Sequence, residues 1–307
     1  MARLVLEAGE LSASIDPELG AGLADLSMNG PAGDATALVR RARDGVTEAG
    51  RMGMFLMAPW TNRVAGAAFA SRGERHALRS DFPDGTAIHG DVRGREWRIT
   101  DRTPLSARLV FDSREHERVN FPWAFGCVAR YELMMTGLIV ELSVTNLDET
   151  PMPTGAGVHP FFPRRLWADG DEVRLRAPVS GRYPSQGCIP TGEAVEDEAS
   201  QALRAGGALG DPGLDDVFAG FGGEAVIEWP TSGVRLTMRC SESLDHLVVF
   251  TPRAKGGGPL TWFCVEPTSM VNDGFNLSER GMEGTGVRVL EAGETLETRV
   301  EIRVERV

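Results

Sequence analysis

A few polar residues in this chain sit in apolar or turn-forming settings where they could move protons or hold a polar ligand. His89 precedes a glycine in Ala87-Ile88-His89-Gly90-Asp91, with Arg93, Arg95 and Trp97 close behind. His159 stands between glycines and aromatics in Gly155-Ala156-Gly157-Val158-His159-Pro160-Phe161-Phe162. Glu266 follows the apolar run Trp262-Phe263-Cys264-Val265 and precedes Pro267. A carboxylate there is expected to be buried, which is costly unless it is paired or its pKa rises. Asn62 and Arg63 place an amide beside a guanidinium, and Asp215-Asp216 sets paired acids before Val217-Phe218. A carboxylate and an imidazole together cover the pKa range that general acid–base catalysis needs near neutral pH. Each residue also has a plain structural explanation. A lone histidine is more often a satisfied packing residue, Asp215-Asp216 after Pro212-Gly213 would suit a turn, and Glu266 would suit an ion pair.

Other chemistries find less support. The five histidines form neither an H-x-H nor an H-E-x-x-H pair, so no metal site is expected. There is no G-x-S-x-G elbow, and Lys255-Gly256-Gly257-Gly258 lacks the spacing of a phosphate loop. Gly281, Gly284 and Gly286 have no helix to open and read as loop. The cysteines at 127, 188, 240 and 264 include no C-x-x-C pair. Cys127, Cys240 and Cys264 sit in strand-like runs and read as small buried hydrophobes.

The elements that must position these residues show a period of two. Leu138, Val140, Leu142 and Val144 alternate with more polar neighbours, as do Val300, Ile302 and Val304. Thr136-Gly137 is expected to turn a hairpin between the 127–135 and 138–144 runs. Further short strands are expected over 107–112, 173–177, 225–229, 234–240, 246–251 and 261–266. The best helical stretch is 200–209, within a flexible connection expected over 197–213. Many short strands at close spacing predict an all-β sandwich or barrel, read as one domain over 1–307. In 307 residues, 42% apolar residues plus 37 glycines can bury a large core. A net charge of −12 with no dense basic run excludes nucleic acid as a main partner. With no signal-peptide pattern and no 18-residue apolar stretch, no membrane association is expected and the location reads as cytoplasmic.

Taken in order, Asn62-Arg63, His89-Gly90, Gly157-Val158-His159-Pro160-Phe161, Asp215-x-x-Phe218 and Glu266-Pro267 resemble the aldose 1-epimerases, or galactose mutarotases. Phe121-Pro122-Trp123-Ala124-Phe125, Val144-Thr145-Asn146 and 271–276 fit as well. The resemblance implies a large antiparallel β-supersandwich with few short helices and a cofactor-independent isomerase acting on a small sugar, an aldohexose in the first instance. It makes Glu266 the base on the anomeric hydroxyl and His159 the acid on the ring oxygen. His89 would bind near that oxygen, Asp215 (or Asp216, one register away) would hold hydroxyls, and Arg63, beside Asn62, would contact the sugar. Here Pro160 and Phe161 stand where well-known members carry Ser and Tyr, which suggests a divergent, bacterial-type branch. Sugar stacking would then fall to Trp60 or Phe218. The alternatives are a hexose-6-phosphate 1-epimerase using Arg93 and Arg95, a non-catalytic carbohydrate binder, or more remotely a glycosidase using Asp215 and Glu266.

Overall fold

The structure is a computed structural model that describes residues 2–307. It is built from antiparallel sheets with little helix. The first large sheet has ten strands. Its path runs Leu4–Ala8, Leu11–Asp16, Gly22–Asn29, Met54–Met57, Gly157–Pro163, Trp262–Thr268, His246–Phe250, Asp215–Ala219 and Gly181–Arg182, with Ala35–Ala37 paired off the path. The second sheet has nine strands, with Phe125–Met134, Gly137–Asn146, Thr295–Arg306 and Val234–Cys240 at its centre.

Alternation explains how the sheets pack. In Phe125–Met134, residues 125, 127, 129, 131 and 133 are buried while 130 and 132 are exposed. This is the pattern of a strand with one face on a core and the other in water. The central strands of the first sheet are instead covered on both sides: Gly157–Phe162 is buried at every position. Val158 and Phe162 join the main core between the sheets, whereas Phe161 packs with Phe55, Met57 and Cys264 in a separate cluster on the outer face. Two buried polar tips tie the layers across the core: Tyr131 Oη donates to Ala21 O at 2.6 Å, and Trp229 Nε1 donates to Pro163 O at 2.9 Å.

Several expectations need adjustment. The hairpin turns at Met135-Thr136, and Gly137 opens the second strand, where an added Cβ would lie 1.9 Å from Ile302 O. The stretch expected to be flexible begins with a helix, Glu198–Ala205, earlier than 200–209. Asp197 caps it by accepting from Ser200 N, and the Ser200 hydroxyl accepts from Asp197 N. That reciprocal cap was written in the sequence as Asp-x-x-Ser. A second short helix, Gly274–Glu279, was not anticipated. Cys240 is half-buried rather than sealed.

Candidate active site

Register on the outer face of the first sheet gathers the site. Asp215 pairs with Phe250, Phe250 with Cys264, and Cys264 with Phe161, so these four share a face. Two residues along each strand, Val217, Val248 and Glu266 form the next row. The pairs Gly157↔Thr268 and Phe161↔Cys264 set His159 opposite Glu266, and His159 pairs with Phe55 on its other side. His159 Nε2 lies 3.1 Å from Glu266 Oε1.

The same parity separates residues that the sequence left together. Asp216 points the other way from Asp215 along its strand, and its carboxylate lies 3.4 Å from Arg182 Nη1. Phe218 and Trp60 are fully buried in the main core, so neither can stack on a sugar as expected. The aromatics that line the cleft are Phe55, Phe82, Phe161 and Phe250. Of these, Phe250 could have been found by extending the alternate positions of its strand to the partner of Asp215.

The loops above the sheet bring the other groups. Arg63 begins a two-residue strand paired with Ala87–Ile88, and His89 N donates to Asn62 O at 2.8 Å. Asn62 and His89 both have positive φ, 48° and 60°. Such strain costs about 1–3 kcal/mol per residue and gathers at functional sites. Gly90 continues the turn at φ 74°, and an added Cβ would sit 2.0 Å from Ala58 O. Arg63 Nε donates to Asp84 Oδ2 at 2.9 Å, Nη1 donates to Asn62 Oδ1 at 3.1 Å, and Nη2 lies 3.7 Å from Asp215 Oδ2. Cys188 also reaches Asp215, its thiol donating to Oδ2 at 3.1 Å. Asn272 Nδ2 donates to Cys188 O at 2.8 Å. Neither Asp84 nor Cys188 stood out in the sequence, because each acts only through a partner distant along the chain.

These groups enclose a cleft of about 210 Å3 lined by Asn62, Arg63, His89, His159, Asp215 and Glu266 together with the four phenylalanines. Drug-sized ligands occupy about 300–1,000 Å3, so this cleft suits a ligand of one ring. The alternative use of Arg93 and Arg95 as a phosphate pocket meets arginines that already have carboxylate partners, although Arg93 lines the cleft. Arg93 pairs with Asp81 at 2.9 Å, and Arg95 grips both oxygens of Asp91.

The electrostatics set the protonation of the pair. Burial, reinforced by the charge of Asp215, pushes the Glu266 carboxyl well above its ordinary range, with Arg63 opposing. Burial, and then the charge of Arg40, hold His159 well below the usual imidazole value. Burial and the neighbouring His159 do the same to His89. Glu266 and His159 are 1% and 6% exposed, and both shifts favour the neutral carboxylic acid and imidazole over separate charges. Glu266 Oε2 and His159 Nδ1 have no partner within the protein. Buried polar atoms left in this state are uncommon in folded proteins and call for an explanation, a catalytic role among them. His159, Cys264 and Glu266 bring one ligating atom each within 4.8 Å of one another, which makes them the residues that could hold a metal. Burial and Glu266 push the Cys264 thiol well up, however, and a neutral thiol is a poor ligand.

The Aldose 1-epimerase family model matches residues 2–303. YphB of Escherichia coli (strain K12), an uncharacterized protein, is 28% identical over 258 residues, covering 82% of this chain and 83% of its own length. YihR of the same strain, also uncharacterized, is 26% identical over 293 residues, covering 94% and 88%. Among solved structures, a putative aldose 1-epimerase from E. coli K12 superposes with a TM-score of 0.85 at 25% identity, covering 100% of this chain and 99% of its own. A galactose mutarotase-like protein from Clostridium acetobutylicum shares the fold, with a TM-score of 0.83 at 20% identity over 99% and 95%. No helix among the described residues is long and apolar enough to cross a membrane. A family match over nearly the whole length, on a sheet that sets Glu266 against His159, leads to one conclusion: this chain belongs to the aldose 1-epimerase family.

Proposed function

We propose that the protein is a cofactor-independent aldose 1-epimerase that interconverts the α and β anomers of a monosaccharide. The observation that carries this reading is the 3.1 Å contact of Glu266 Oε1 and His159 Nε2 at the floor of a one-ring cleft. Burial favours the neutral form of the pair, carboxylic acid and imidazole. Moving the shared proton across the contact creates the reactive form, carboxylate and imidazolium. Glu266 then takes the proton of the anomeric hydroxyl while His159 gives its proton to the ring oxygen, and the C1–O5 bond breaks to leave the open aldehyde. Rotation about C1–C2 and reversal of both transfers give the other anomer. Ring opening moves one proton onto Glu266 and one off His159, and ring closure moves one back each way, so the pair's proton count never changes. Arg63, Asp215 and Asn62 hold hydroxyls, His89 binds beside the ring oxygen, and Phe250 or Phe82 offers an apolar face to the ring.

The test is anomer exchange followed by polarimetry or NMR on a freshly dissolved pure anomer. Wild-type protein accelerates equilibration, and Glu266→Gln removes about 10²–10⁴-fold of that rate. Full activity in the Gln variant would show that the base has been misassigned. Sugar binding with no acceleration in the wild type would leave a carbohydrate-binding protein.

A further inference from the structure

A second cavity, of about 440 Å3, adjoins the catalytic cleft through one aromatic wall, and its lining includes Arg40, Arg164, Arg165, Thr261 and Trp262 but no acidic residue. The wall is Phe161. Its ring stacks on His159 with centroids 4.5 Å apart, and the Arg40 guanidinium lies 3.7 Å from the same centroid. Two groups that close to one ring occupy its opposite faces. Trp262 meets the Phe161 edge at 5.1 Å, and Arg40 Nη2 donates to the carbonyl of Gly50, a residue that lines the catalytic cleft.

The arginines of this second cavity have no carboxylate of the described residues within ion-pair distance, although Asp211 acts on Arg164 from farther off. At the catalytic cleft, Arg63 and Arg93 each have a carboxylate partner. Among the described residues, Arg40, Arg164 and Arg165 form no ion pair, in a protein that carries net −12 overall. Arg40 spends Nη2 on the carbonyls of Gly50 and Met52, and Arg164 spends Nη1 on Gly210 O at 2.6 Å. Arg40 Nε and Arg164 Nε and Nη2 are buried without an acceptor. Buried donors left unmade are rare in folded proteins and call for an occupant or a function. Partial burial also lowers the affinity of both groups for their own protons, that of Arg40 to about 10, with the charge of Asp211 opposing the shift at Arg164. Guanidinium is the side chain best shaped to take a tetrahedral oxyanion.

We propose that the cavity formed by Arg40, Arg164, Arg165 and Trp262 is an oxyanion-binding site of the phosphate class. The anion supplies acceptors for the unpartnered Arg40 and Arg164 donors. It arrives either free or as a group carried by a ligand, and binding does not require turnover, so this inference stands apart from the epimerase reading.

Titration of the full-length protein with inorganic phosphate, read by calorimetry or 31P NMR against chloride at matched ionic strength, tests it. Saturable one-site binding is expected. Arg164→Gln should weaken it about tenfold or more, since hydrogen bonds to charged groups are strong. Arg165→Glu, at an exposed position that leaves the core untouched, should weaken it at least as much. Arg174→Gln, in the second sheet, should leave it unchanged. No saturable binding in the low-millimolar range overturns the proposal, as does binding that survives both Arg164→Gln and Arg165→Glu. The source follows from kinetics on an aldose and its 6-phosphate. A KM penalty from Arg165→Glu confined to the phosphorylated sugar assigns the anion to the substrate, and equal KM values with phosphate still bound assign it to free anion. Both outcomes keep the site. Loss of all sugar turnover with phosphate binding intact would remove the epimerase reading and leave this one standing.

Discussion

The Glu266–His159 pair combines a stability cost with a chemical use. A carboxyl whose pKa is raised in the folded state contributes stability below its unfolded value near 4.5, and that contribution is lost as pH rises through the folded value. Wild-type protein should therefore lose thermal stability relative to Glu266→Gln as pH increases from about 4.5. Melting curves of the two proteins across pH check this, and parallel curves would mean that Glu266 is not held in the neutral form. In the proposed mechanism the same pair sets the pH–rate profile. A second proton on the pair blocks the base and removal of the last proton blocks the acid. With His159 lowered and Glu266 raised, activity should hold a broad plateau through neutral pH. Its acid limb should fall below the ordinary imidazole value near 6.5, read by anomer exchange in buffers spanning that range. Asp215→Asn keeps the shape of the side chain but removes its charge beside Arg63. It should raise KM about tenfold with a smaller effect on kcat, measured with the same assay.

At the scale of elements, the tight turn at His89-Gly90 and the loop at Cys188 support the site. Gly90→Ala forces a Cβ to 2.0 Å from Ala58 O in a positive-φ conformation. The variant should lose roughly 3 kcal/mol or more in denaturant melts, and its residual folded fraction should bind sugar poorly because His89 moves with the turn. Asn272→Ala removes the amide that holds Cys188 O, and through it the thiol donating to Asp215. A higher KM at unchanged kcat is expected from steady-state anomer exchange. Strands such as 225–229 and 234–240 were legible because a half-buried antiparallel strand prints its burial as alternation. The helix Gly274–Glu279 was not. It is too short to show a helical stripe, and it starts after Asp273, a left-handed residue with no capping hydrogen bond. His159 and Glu266 were visible because a lone polar residue in an apolar run is conspicuous. Arg40 was hidden in Arg40-Arg41-Ala42-Arg43, which reads as a solvated basic cluster until the fold lays Arg40 over Phe161.

Over the whole molecule, one core cluster takes residues from Leu4 to Val304 and from both large sheets. Far-UV circular dichroism and tryptophan fluorescence should therefore report one coincident unfolding transition, since Trp60, Trp97 and Trp229 are fully buried in that cluster. Two separated melts would divide the chain into independent units. The reach of the sequence also ends at this scale. Which of two adjacent acids enters the cleft was undecided until strand pairing set Asp215 and Asp216 on opposite faces. Glu266 and His159, the proposed proton-moving residues, stand on neighbouring central strands, held apart by the spacing of the ladder, while Arg63 and His89 ride on connections outside it. In the proposed reaction, part of the ligand contact is thus separable from reactivity, while Asp215 and Phe250 remain on the sheet itself. If the proposed reaction holds, exchanging those connections should change which sugar is accepted while the Glu266–His159 contact stays in place.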